Sequence, residues 1–171
     1  MEKVNLDVEF VIPQLKKIRL FKAMNEEEIR GMLKICDVIK YSSDEIIIEK
    51  GSISHCFFVV LKGSVEVRVG KSIASYKTEV KAGEIFGEAG LFSDVPRSAD
   101  VVSVNISYVM QVERKKFLSY ISQNATAGNK ILMVMVYILF HRLKNVNQEI
   151  LLENTALIDE EMDAFIKDYL E

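Results

Sequence analysis

Phe86-Gly87-Glu88-Ala89-Gly90-Leu91-Phe92-Ser93-Asp94-Val95-Pro96-Arg97-Ser98-Ala99-Asp100-Val101 is the stretch whose reading decides the fold. A short strand, Glu84-Ile85-Phe86, runs into a glycine, and one carboxylate, Glu88, heads a segment too small for a full helix. Nine residues on, behind a proline, stands Arg97, followed by the strand-like Ala99 and Val101. Gly87 and Gly90 carry no side chain that would keep another group away from the backbone. Pro96 restricts the chain direction just before Arg97. An acid and a base held apart on one such loop suit a single ligand that carries both hydroxyls and an anion.

Working outward, the surroundings of this loop read as strands. From Asp37 to Glu113 short β-branched and aromatic runs follow one another: Val38–Tyr41, Glu45–Ile48, Phe57–Leu61, Ser64–Val69, Ser72–Tyr76, Ala99–Val104 and Tyr108–Val112. Val65, Val67 and Val69 alternate with Glu66 and Arg68, the period of a half-buried strand. Gly51, Gly63, Gly70 and Gly83 fall at or beside the ends of the runs, where turns are needed. Roughly seven or eight short strands at this spacing predict a sandwich or closed barrel rather than a parallel sheet. The opening stretch lies between two of them, where a barrel holds a ligand loop.

Both flanks are helical in pattern. Pro13 to Ile18 reads as a short helix with proline in its first turn. Asn25-Glu26-Glu27-Glu28 has the form of a capping box, and Ile29, Met32, Leu33 and Cys36 recur behind it at helical spacing, so a second helix ends near Ile35 or Cys36. After Glu113 a short helix over Lys115–Ile121 precedes a long one, capped by Asn124 and reaching about Glu153. Within it Leu132, Val136, Leu139, Leu143, Val146 and Ile150 step alternately by four and three, the stripe of a two-helix seam. The plainer alternative is that this stripe packs on the barrel. However, Met133, Met135, Tyr137, Ile138 and Phe140 are apolar on other faces, and a helix apolar all round needs two partners. The barrel supplies one and a second copy of the helix the other, which predicts a homodimer.

Residues 153–171 carry seven carboxylates against Lys167, while Ile158, Met162, Phe165, Ile166 and Tyr169 share one face. They read as an acidic amphipathic helix appended to a domain over residues 1–152. The formal charge of -3 for the whole 171-residue chain argues against a protein that coats nucleic acid. The chain is long enough to bury a core without disulfides or metal. Cys36 and Cys56 show no C-x-x-C spacing, which fits a reducing, cytoplasmic setting and two small buried hydrophobes. His55 and His141 are far apart and form no ligand cluster, so neither a metal nor a catalytic site is expected. Met1 to Phe10 is not a secretory signal, and the apolar run Ile131–Phe140 spans ten residues, about half a membrane crossing.

Phe86-Gly87-Glu88, Gly90-Leu91 and Pro96-Arg97-Ser98-Ala99 ending in Val101 resemble the phosphate-binding cassette of cyclic nucleotide-binding domains. Leu20-Phe21, Glu26 to Ile29, Gly51, Phe58, Val60, Gly63, Val65, Val67 and Arg142-Leu143 fall at that family's spacing, so the resemblance covers about residues 13–150. It implies a mainly β fold: an eight-stranded jelly-roll-like barrel with flanking N-terminal helices and a long C-terminal helix. It implies no catalysis and a ligand, cAMP in preference to cGMP, because Ser98 and Gly90 are similar to the bacterial cAMP-activated regulators. Arg97 would pair with the cyclic phosphate and Glu88 with the ribose 2′-hydroxyl. Backbone N–H groups of Gly87, Ala89, Ser98 and Ala99 would complete the cradle that begins at Phe86 and Gly90. Asn145 or Asn147 on the long helix would cap the base. Ser43-Asp44 replaces a glycine common in the family's turn after Tyr41, a position where Asp tolerates left-handed geometry. The output is expected as a conformational signal to an effector protein. Alternatives are a component of a transcription-regulator-like system and an orphan module that no longer binds. Eighteen residues after Glu153, acidic overall, are too few for a DNA-reading domain.

Overall fold

The computed structural model describes residues 1–5, 7–69, 76–147 and 166–167, with the backbone alone for Tyr76, Asn145, Val146 and Asn147. Two antiparallel sheets form its centre. One runs β1 (Glu2–Lys3), β2 (Cys36–Tyr41), β9 (Ser107–Glu113), β4 (Cys56–Lys62), β7 (Ile85–Phe86). The other runs β3 (Ile46–Ile48), β8 (Asp100–Ser103), β5 (Ser64–Val69), β6 (Tyr76–Lys81). Chain neighbours are mostly separated in these orders, the crossing pattern of a jelly roll. The expected barrel with flanking helices is therefore the fold.

Strand β4 explains how two cores share one sheet. Its run Phe57-Phe58-Val59-Val60 is apolar without alternation because both faces are covered. Phe57 and Val59 join Phe21, Ile29, Met32, Ile85, Met110, Phe117, Ile131 and Met135 in a core between the sheet and the helices. Phe58 and Val60 join Tyr41, Ile48, Val65, Val80, Phe86, Val101 and Val109 in a core between the sheets. Register follows: Val59 stands opposite Met110 and Val60 opposite Val109, so each pair feeds one core.

The helices depart from expectation in detail. Helix α1 covers Val8–Leu15 with Asp7 capping the Glu9 N–H, so Pro13 lies inside it and not in its first turn. A 3-10 turn at Arg19–Phe21 leads to α2 (Glu26–Ile35), whose capping box between Asn25 and Glu28 is present as expected. Helix α3 (Ala89–Phe92) is the small helix of the opening stretch, and α4 (Arg114–Gln123) leads to α5 (Ala125–Asn147). Asn124 does not cap α5 with its side chain; its amide donates to Tyr120 O at 3.0 Å and closes α4. Of the strand expected at Ser72–Tyr76 only Tyr76 is described, and it lies in β6 (Tyr76–Lys81); residues 70–75 lie outside the described part. Asp44 takes φ 62°, the left-handed turn expected of it.

Helix α5 buries Ala127, Ile131, Val134, Met135, Ile138 and His141 against the domain. The predicted seam is divided: Val136 and Leu143 are exposed on the other side, while Leu132 and Leu139 are half-buried and Leu132 packs against the core. Val146 and Ile150 lie outside the described side chains, as does the predicted 153–171 helix except Ile166–Lys167. Those two residues are helical, and Ile166 is buried in the core beneath the helices. No helix among the described residues is long and apolar enough to cross a membrane.

Candidate ligand-binding site

Arg97 is positioned by backbone before its side chain acts. Its N–H donates to Ser52 O and its own carbonyl accepts from Gly51 N–H, both at 2.9 Å, so the loop after β3 holds the residue that Pro96 delivers. The side chain then turns inward and is 7% exposed. Nη1 donates to Gly87 O at 2.6 Å; Nη2 donates to Cys56 O at 2.6 Å and to Ser54 O at 3.0 Å. Nε–H is buried with no hydrogen-bond partner. Burial pulls the guanidinium below its ordinary value, offset in part by the nearby Cys56 and Glu88. A guanidinium so placed carries a largely desolvated positive charge, met by three carbonyls and by Ser54 Oγ, which accepts from Nη2 at 3.1 Å.

The turn it braces is shaped by two glycines. Gly87 has φ +68°, a left-handed conformation that costs side-chain-bearing residues. At Gly90 a Cβ would lie 2.6 Å from Ser54 O and 2.7 Å from Cys56 O. The close approach read from the sequence is thus made by the chain's own backbone. Phe86 turns away from the loop and stacks on Phe58, centroids 5.0 Å apart; only its backbone borders the site.

Glu88, the residue before α3, is half-buried. Its Oε1 pairs with Arg142 Nη1 at 3.2 Å, and Arg142 Nη2 also donates to Ile85 O. Arg142 lies on α5, so one side chain ties the long helix to the carboxylate of the loop. Ala89 and Ser98 are exposed, and Ala99 is buried just before β8. The structure therefore brings Gly87, Glu88, Gly90 and Arg97 together with Ser54, Cys56 and Arg142. Asn145 and Asn147 lie in the last turn of α5, their side chains outside the described part. Arg142 was visible as a family residue without an assigned role. Ser54 and Cys56 contribute carbonyls, which carry no side-chain signal, and Ser54 adds its Oγ. Among the described residues no group of His, Cys, Asp or Glu could hold a metal ion.

A model of the cyclic nucleotide-binding domain matches residues 38–124. The chain belongs to the cyclic nucleotide-binding domain family. Among relatives, a cAMP-activated global transcriptional regulator of Pasteurella multocida is 32% identical over 136 residues, 77% of this chain and 61% of its own length. A mouse cyclic nucleotide-gated channel beta-3 is 28% identical over 150 residues, 86% of this chain but 21% of the channel. The chain thus spans between about a fifth and three fifths of the length of these two relatives. Among solved structures, a cyclic nucleotide-binding domain from Methylobacillus flagellatus superposes with TM-score 0.71 at 22% identity, covering 86% of both chains. The Thermus thermophilus catabolite activator protein gives 0.65 at 22% identity over 77% of this chain and 61% of that one. These likenesses fix the fold of the domain. The curated relatives include transcriptional regulators, channels and kinase regulatory subunits.

Proposed function

We propose that this chain is a non-catalytic sensor that binds cAMP in preference to cGMP and signals by conformational change to a partner protein. The observation that carries it is Arg97, a guanidinium buried at the glycine turn with its Nε–H unpaired. A cyclic phosphate supplies the charge that the carbonyls of Gly87, Ser54 and Cys56 cannot. Glu88, already in the same loop, accepts from a ribose 2′-hydroxyl. The N–H groups of Gly87, Ala89, Ser98 and Ala99 serve the phosphate, and Asn145 or Asn147 the base. Support for cAMP comes from Ser98 and Gly90 and from relatives named for that nucleotide.

The signal follows from the bond between Glu88 and Arg142. A sugar hydroxyl entering at Glu88 changes the partners of that carboxylate and so the hold on α5. Only a ligand with different affinity for the two arrangements of α5 shifts their populations. The exposed face of α5 meets a second copy in a homodimer, whose state the nucleotide alters. The setting is cytoplasmic, and residues 1–152 work as the sensing domain with residues 153–171 appended.

A second reading draws on the same bonds: an arginine engaged with three carbonyls serves as a structural brace in a module that no longer binds. Isothermal titration with cAMP and cGMP separates them. The sensor binds cAMP more tightly, and Arg97→Ala costs on the order of 2–5 kcal/mol, about 30- to 4,000-fold in affinity. Unchanged affinity in the variant, or no binding by the wild type, leaves the brace.

A further inference from the structure

Helix α4 begins with a local contradiction. Its first three residues are Arg114, Lys115 and Lys116, and no side chain caps it, although positive charge is unfavourable at a helix N-terminus. A residue that breaks a local rule is serving something else. Arg114 serves the glycine-bearing loop. Its Nε donates to Gly90 O at 2.9 Å, its Nη1 to Asp94 Oδ1 at 2.6 Å, and its Nη2 to Ser93 O. The carbonyl end of α3, where a cation is favoured, is therefore held by the first residue of α4. The Arg114 side chain is 19% exposed.

Its backbone is fastened to the same place as Arg97. Arg114 N–H donates to His55 O at 2.7 Å, while Arg97 takes the carbonyls on either side, Ser54 and Cys56. Two arginines thus grip alternate carbonyls of one three-residue segment. Arg97 reaches the entry of the turn at Gly87 O, and Arg114 reaches its exit at Gly90, Ser93 and Asp94. Beyond Arg114, α4 lies close on α5: a Cβ on Gly128 would come within 2.7 Å of Ile121 Cβ. Phe117, one turn on, packs edge-on against Phe57 with centroids 5.2 Å apart.

Resting on the nucleotide-binding reading above, we propose that Arg114 is a positioning residue for the nucleotide: it holds α3 in the binding-competent place and carries its displacement into the α4–α5 pair. Asp94 has a second partner in this grip. Besides Arg114 its carboxylate meets His55 Nε2 at 2.9 Å. The charged groups on this face are Asp94 from the loop, His55 from the segment before β4 and Arg114 from the β9–α4 junction, with Arg97 the next charge inward. The Arg114 hydrogen bond and charge hold the Asp94 carboxyl below its ordinary range. A depressed carboxylate contributes above that range and loses its contribution only as pH falls through the lowered value. Between pH 6 and pH 8 Asp94 therefore stays ionised and its ion pair with Arg114 is kept.

The test compares the full chain with Arg114→Gln, first by amide exchange without nucleotide and then by titration with cAMP and cGMP. Losing hydrogen bonds from a charged donor is expected to raise exchange in residues 88–94 by about tenfold or more, with β4 and β9 unchanged. Affinity should fall about tenfold, because the competent arrangement is less populated. Arg114→Lys, which keeps the charge without the planar fork, should restore part of that loss. Wild-type exchange and affinity in Arg114→Gln overturn the proposal, as does loosening shared equally by β4 and β9, the mark of a merely structural residue. A wild-type chain that binds neither nucleotide overturns the nucleotide reading, and the exchange comparison then decides the grip by itself.

Discussion

Gly90 and Arg97 fill each other's space: a Cβ on Gly90 would lie 2.6 Å from Arg97 Nη2 as well as against the carbonyls of Ser54 and Cys56. The arginine tip has some freedom to move, but two backbone oxygens do not. Gly90→Ala must therefore shift α3 away from the 54–56 segment. Overpacking of this kind costs about 1–3 kcal/mol, and here part of it falls on the Arg97 bonds and part on Arg114, whose Nε acceptor is Gly90 O. The expected result is a chain that still folds but unfolds at lower denaturant, with nucleotide affinity reduced about tenfold or more. Chemical denaturation and titration check this, and a variant unchanged in both shows that the turn has slack the distances deny. What was legible at this scale follows from locality. Glu88 and Arg97 sit nine residues apart in one loop, and Gly87 and Gly90 announced a close backbone. The groups they approach, Ser54 O and Cys56 O, lie 41 to 43 residues from Arg97 and have no side-chain signature.

The same contrast holds for whole elements. Helix α2 was readable because its start is written within four residues: Glu28 N–H donates to Asn25 Oδ1 at 2.9 Å and Asn25 N–H to Glu28 Oε2 at 2.7 Å. The part of β6 over Lys77–Lys81 is not legible because β6 is an edge strand, paired among the described residues with β5 alone. Lys77, Thr78 and Glu79 are exposed and Val80 alone of the described side chains enters the core, so no alternating apolar pattern marks residues 77–81. Helix α1 was placed late because Pro13 suits a first turn better than the interior position it holds. What binds the N-terminal helices to α4 and α5 was not legible at all. Tyr120 OH donates to Glu28 O at 2.9 Å, and Lys130 Nζ lies 3.4 Å from Glu28 Oε2. Glu28 thus serves its own helix cap and two other helices. Tyr120→Phe removes one donor from that carbonyl, and a net loss of about 1 kcal/mol in unfolding free energy is expected. Denaturant titration reads it directly; a variant as stable as the wild type means that water replaces the hydroxyl without cost.

At the scale of the whole molecule the question is what covers the outer face of α5. Val136, Phe140 and Leu143 are 61%, 62% and 60% exposed, with Met133 beside them at 43%. They follow one another by three, four and three residues, the spacing of a coiled-coil seam, and a continuous apolar row of this kind marks an interaction surface. The seam expected from Leu132, Val136, Leu139 and Leu143 is thereby shifted, since Leu132 and Leu139 are half covered by the domain itself. A second copy is the proposed occupant because the row is self-complementary when two such helices pack side by side. Arg142, which holds Glu88, is the neighbour of Leu143 on the same turn, so the nucleotide loop and the seam meet within one turn of helix. Any change of the Glu88–Arg142 bond on nucleotide binding then alters how Leu143 is presented. By linkage, the factor by which cAMP changes the dimer's dissociation constant must equal the factor by which dimerisation changes cAMP affinity. Sedimentation at micromolar concentration should show a dimer for the wild type and a monomer for Phe140→Glu. That substitution at an exposed site is expected to change monomer stability by no more than about 0.5 kcal/mol. Sedimentation repeated with saturating cAMP should move the wild-type equilibrium, and Phe140→Glu should bind cAMP with an affinity changed by the linked factor. A wild-type monomer at these concentrations, or a dimer that persists in both Phe140→Glu and Leu143→Glu, removes the second copy from this face.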